Sequence, residues 1–92
     1  MLGQRINELR QSCGWSQVEL AKRLSISKQT VSNWENENIQ PSIEMLVRIA
    51  RLFGVSTDYL LGIDDIPRLS VEGLPINVVA HISLLIEDYR SK

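Results

Sequence analysis

At 92 residues, 43% of them hydrophobic and 23% charged, the chain has the size of one small domain or of a domain with an appendage, where a hydrophobic core is barely sufficient without staples. Cys13 is its single cysteine, which excludes a disulfide scaffold within the chain and suits a reducing compartment. The net charge of −1 excludes a uniformly basic nucleic-acid binder, but the charge is unevenly placed: residues 9–34 hold four cations and one anion, residues 64–92 three cations and five anions.

The opening MLGQRINELRQ contains no apolar core of signal-peptide length, Leu2 stands where myristoylation needs glycine, and no run reaches the roughly 20 apolar residues of a membrane span. A soluble cytoplasmic protein with no membrane partner is expected. Within that opening Leu2, Ile6 and Leu9 share one helical face, and Ser12 to Gly14 end the helix. A second helix, from about Gln17 to Leu24, starts at Ser16. Glu19 completes a capping box there, and Trp15 and Leu20 form a hydrophobic staple. The pattern returns at Ser27, which opens a third helix from about Lys28 to Asn36, with Ile26 and Val31 as the staple and Thr30 where the box prefers Glu or Gln. Pro41 and Ser42 open a fourth helix whose stripe is Leu46, Ile49, Ala50 and Phe53, with Gly54 suited to a left-handed terminus. Ser56 precedes a short fifth helix, Thr57 to Leu61, stopped by Gly62. Five short helices without a strand pattern predict an all-α domain over residues 1–63. The stretch IDDIPRLSVEG then turns to acids, Pro67 and Gly73 and marks residues 64–74 as a connector. Pro75 stands at the start of a last helix, in residues 75–92.

Only Ser25, Ile26 and Ser27 separate the second and third helices. So short a turn makes them cross steeply, at roughly 90 to 120°, as in a helix-turn-helix. Ala21 supplies the small residue for the crossing, while Leu20, Leu24, Ile26, Val31 and Trp34 fall where apolar contacts are needed. Over Met1 to about Ile63 the sequence resembles the lambda-repressor-like helix-turn-helix family, the Cro/CI phage repressors and xenobiotic-response-element type regulators. It departs from that pattern at Ser25, where the family usually has glycine; a left-handed Ser25 would carry strain of about 1 to 2 kcal/mol.

The third helix divides into two faces. Val31 and Trp34 point one way, while Lys28, Gln29, Ser32 and Asn33 fall within about 140° of arc on the other. None of the four is bulky enough to keep a groove at a distance. Gln29 and Asn33 suit the N6/N7 edge of adenine, Lys28 suits guanine O6/N7, and Ser32 is permissive. Taken alone, such a face is what any solvated surface helix presents; the turn and the resemblance turn it into a candidate base-reading surface. Gln17, in the first turn of the second helix, and Asn36, Asn38 and Gln40, after the third, are candidates for phosphate contacts. Glu35 would set a carboxylate beside this face. The resemblance implies that Arg10, late in the first helix, pairs with Glu35, orients the recognition helix and also touches a phosphate.

Other features carry less. Cys13 has no sequence neighbour that would lower its pKa. His81 lacks companions for a metal site, and Trp15 and Trp34 sit at core spacing rather than where bases would stack. No catalytic arrangement, phosphate loop or metal spacing is present, so neither enzyme activity nor a cofactor is expected. In the last helix Val78, Ile82, Leu85 and Tyr89 follow a 4-3-4 spacing that Val79 and Ile86 widen. This stripe would dock on its own helix-turn-helix domain or on a second copy. The second is favoured because helix-turn-helix readers gain affinity as dimers.

The resemblance thus implies a five-helix DNA-binding domain, a dimerising terminal helix, and a transcriptional regulator, by analogy a repressor, binding double-stranded DNA as a homodimer on a near-palindromic operator. The alternatives are a protein-interaction module of the same fold, an antitoxin or a restriction-modification controller. Any antagonist protein stays unidentified at this level.

Overall fold

The computed structural model describes all of residues 1–92 and contains six helices: α1 (Leu2–Ser12), α2 (Gln17–Leu24), α3 (Lys28–Glu35), α4 (Ile43–Phe53), α5 (Thr57–Leu60) and α6 (Ile76–Arg90). Four of the six begin in one way. The hydroxyls of Ser16, Ser27, Ser42 and Ser56 accept hydrogen bonds from the backbone N–H groups of Glu19, Thr30, Met45 and Tyr59, at 3.0 to 3.2 Å. Each satisfies a donor that the first turn of a helix leaves free. Thr30, in the position of the missing glutamate, shares its hydroxyl with Ser27 at 2.8 Å.

The terminations are equally local. Ser25 is left-handed at φ 57°, ψ 44°, and it lets the Ile26 N–H reach the Ala21 carbonyl at 2.9 Å. Gly54 takes the same region at φ 71°. The departure from glycine at position 25 is therefore accommodated with its strain rather than relieved by another backbone path.

Each of the first five helices contributes one fully buried aliphatic residue: Ile6, Leu20, Val31, Ile49 and Leu60. Ala21, Leu24, Trp34 and Ala50 close the core around them. Trp15 lies over Phe53 with ring centroids 5.6 Å apart and is covered on its outside by the Arg23 guanidinium, 4.0 Å from the ring. Both tryptophans therefore pack. At Gly3 the start of α1 comes so close to the end of α3 that a Cβ would lie 2.2 Å from the Trp34 carbonyl oxygen.

α6 stands apart from this core, with no buried residue. Val78, Val79 and Ile82 are half-buried, whereas Leu85, Ile86 and Tyr89, further along the same stripe, are exposed. No helix is long and apolar enough to cross a membrane.

Candidate nucleic-acid interface

The outer side of α3 is assembled from residues its own sequence leaves uncovered. Lys28 and Gln29 are exposed, and Ser32 and Asn33 are half-buried beside them. Gln29 Nε2 donates to Asn33 Oδ1 at 3.2 Å, and Asn36 Nδ2 donates to Ser32 Oγ at 3.3 Å. These contacts orient the amides along the helix while leaving further donors and acceptors facing outward. Asn36, Asn38 and Gln40 form an exposed rim after the helix, where Gln40 Nε2 reaches Glu37 Oε2 at 3.4 Å.

The inner side is held by a buried ion pair. Arg10 Nε donates to Glu35 Oε2 at 2.7 Å, Arg10 Nη2 to Glu35 Oε1 at 3.0 Å, and Arg10 Nη1 to the Trp15 carbonyl at 2.7 Å. The Glu35 side chain is only 3% exposed, so its charge points into the fold and not toward a polyanion. Burial pushes the Glu35 carboxyl up, but hydrogen bonds from Arg10, Asn7 and Gln17 outweigh it and hold the group below the usual carboxylate range. The bond to Glu35 correspondingly keeps Arg10 above its ordinary value.

Two of the expected phosphate contacts are tied into this support. Arg10 is 9% exposed and donates through all three of its nitrogens, which makes it a support beneath α3 and leaves two of its five N–H groups for any phosphate. Gln17 is half-buried and donates Nε2 to Glu35 Oε1 at 3.1 Å, so it joins the same support while one amide hydrogen stays free. Val31, Trp34 and Ala21 lie buried behind the helix as expected. Sequence reasoning missed Asn7, whose Nδ2 donates to Glu35 Oε1 at 2.7 Å. It precedes Arg10 by three residues on α1, and that i,i+3 spacing was the available signal. It also missed Glu37, which accepts from the Gly3 N–H at 2.7 Å with a left-handed backbone at φ 59°.

A three-residue turn between α2 and α3, a polar outer face and a buried arginine–glutamate support coincide with a match to the helix-turn-helix family model over residues 6–60. The chain belongs to that helix-turn-helix family. Among relatives, the transcriptional regulator ImmR of Bacillus subtilis is 40% identical over 67 residues, 73% of this chain and 53% of its own length. The uncharacterized regulator YobD of the same organism is 38% identical over 72 residues, 78% of this chain and 64% of its own. The chain thus spans between half and two thirds of these relatives. Among solved structures, the P22 c2 repressor in complex with a synthetic operator superposes with a TM-score of 0.65 at 31% identity, over 70% of this chain and 97% of that one. SinR, a master regulator for biofilm formation, in complex with DNA gives 0.61 at 35%, over 66% and 98%.

Proposed function

We propose that the chain is a sequence-specific DNA-binding transcriptional regulator, a cytoplasmic repressor that inserts α3 into the major groove of double-stranded DNA. The observation that carries this reading is the uncovered polar face of Lys28, Gln29, Ser32 and Asn33 on a helix whose other side is fixed by the buried Arg10–Glu35 pair. A rigid support turns four mobile side chains into a defined pattern of donors and acceptors. The two similar structures solved in complex with DNA add weight from outside the chain. Asn36, Asn38, Gln40 and the free first-turn N–H groups of α2, beside Gln17, contact phosphates and set register without reading sequence.

In this reading residues 1–63 bind DNA, residues 64–74 connect, and α6 joins two copies through Val78, Val79, Ile82, Leu85, Ile86 and Tyr89. The uncovered second half of that stripe, Leu85, Ile86 and Tyr89, favours a partner over its own domain. Two copies about a two-fold axis would read half-sites roughly 34 Å or 10 to 10.5 base pairs apart.

Selection of bound duplexes from a random library, followed by gel shift at low and moderate salt, tests the function. Enrichment of an inverted repeat is the expected result, together with binding to random duplex that weakens steeply with salt. Absence of both enrichment and salt-dependent binding overturns the reading in favour of a protein-interaction module.

A further inference from the structure

A second arginine of α1 has no part in the reading face. Arg5 is 17% exposed in its side chain. Its Nη1 donates to the carbonyls of Tyr59 and, at 2.9 Å, Asp64; its Nη2 donates to Asp65 Oδ1 at 2.9 Å. The guanidinium also lies over the Tyr59 ring, 4.2 Å from its centroid. One side chain thereby fastens α1 to the end of α5 and to the first residues of the connector.

The same segment is folded on itself. The N–H groups of Ile63 and Asp64 both reach the Asp58 carbonyl, at 2.9 and 3.2 Å, and Gly62 makes the bend at φ 79°. Asp64 then accepts from the Ile66 N–H at 3.0 Å and pairs with Arg68. Beyond Arg68 the internal bonds of the connector are short-range ones, Glu72 N–H to Ser70 Oγ and Leu74 N–H to the Val71 carbonyl. The connector thus leaves as a fixed exit over residues 64–68, and Leu69 beyond it lies beside Gly54 at the end of α4, so it is not a free tether.

α1 is a single helix of 11 residues, and it carries both arginines. Arg10 holds α3 at one site and Arg5 holds the start of the arm at another. The angle between the reading helix and the departing arm is thereby transmitted through one rigid element.

We propose that Arg5 is a positioning residue that sets the direction in which the dimerising arm leaves the DNA-binding domain, and so sets the half-site spacing the dimer accepts. The proposal rests on the dimeric DNA-binding reading above. In a bivalent reader the second contact gains from the first only if the linkage holds the two heads at the separation of their sites. A fixed exit narrows the tolerated separations; a released exit widens them and lowers the gain at the correct one.

The test uses the full chain and Arg5→Met, which keeps the aliphatic stem and removes the hydrogen bonds. Binding is measured to duplexes carrying the selected half-site once, twice at the selected spacing, and twice with one to three base pairs added or removed. Expected for Arg5→Met are an unchanged affinity for the single half-site and a loss of roughly tenfold or more at the correct spacing. The penalty for wrong spacings should also shrink. Asp65→Asn, at an exposed position, should give a smaller shift in the same direction without touching the fold. Retained spacing discrimination in Arg5→Met overturns the proposal, as does an equal loss on the single half-site. Sedimentation of the wild-type chain separates the two levels: a monomer overturns the dimeric reading and this proposal together. A dimer whose Arg5→Met variant keeps its spacing preference overturns only the role of Arg5.

Discussion

Gln29 and Asn33 sit side by side on α3 and bond to each other at 3.2 Å, which leaves each amide presenting its remaining groups in a fixed direction. Gln29→Ala or Asn33→Ala should cost roughly 1 to 3 kcal/mol at particular base pairs and leave binding to random duplex nearly intact; competition titrations with single-base operator variants check this. Lys28→Ala should also weaken binding to random sequence, because its charge acts on phosphates as well as bases. Ser25 offers a stability test. It carries left-handed strain at φ 57°, so Ser25→Gly removes about 1 to 2 kcal/mol of strain while adding freedom to the unfolded chain worth about 0.4 to 1 kcal/mol. The net expectation is a modest gain, read as a higher urea midpoint with an unchanged slope.

At the scale of elements, α3 depends on α1 through one buried charge pair. Replacing Arg10 by Met leaves the Glu35 charge buried with only Asn7 and Gln17 as partners, which should cost about 3 to 5 kcal/mol. Arg10→Met with Glu35→Leu should cost well below the sum of the two single changes, and strict additivity in urea unfolding would deny the pairing. The pair also imposes a pH dependence. Because the folded Glu35 carboxyl lies below its unfolded value of about 4.3, its contribution is full above that value and is lost as pH falls through the folded pKa. Urea midpoints from pH 7 to pH 3 should therefore drop less for Glu35→Gln than for the wild type, from a lower start at pH 7. How far such elements were legible follows from the range of the contacts that make them. The serine caps and the two faces of α3 are set by residues close to one another along the chain and are written in the sequence, whereas a left-handed Ser25 was raised only by the glycine that the resembled family carries there. The Arg10–Glu35 pair spans 25 residues and came only from family resemblance. Contacts of Gly3 with Trp34 and of Arg5 with Tyr59, Asp64 and Asp65 depend on how α1 lies across the other helices. No local pattern encodes them.

The whole molecule is more open than its mass requires. Its accessible surface is 6425 Å², against roughly 5400 Å² for a compact chain of 10.5 kDa. Its radius of gyration is 14.7 Å, against about 12 Å for a compact 92-residue domain. The excess of about 1000 Å² is close to the roughly 800 Å² each partner buries in an interface of standard size. The exposed large apolar residues of the connector and α6, among them Leu69, Leu85 and Tyr89, account for where a partner would lie. Sedimentation equilibrium should find the full chain dimeric at tens of micromolar, and truncation after Ile63 should leave a folded monomer, since all five fully buried aliphatic residues precede that point. A truncated chain that still dimerises would move the interface elsewhere. Because those five residues come one from each of α1 to α5, no one of these helices can come away without opening the cavity that the other four line. Their amide hydrogens should exchange with solvent together, at the rate of global opening. Those of α6, which puts nothing into that centre, should exchange sooner and more slowly as protein concentration rises, so that one deuterium-exchange series separates the cooperative body from the arm.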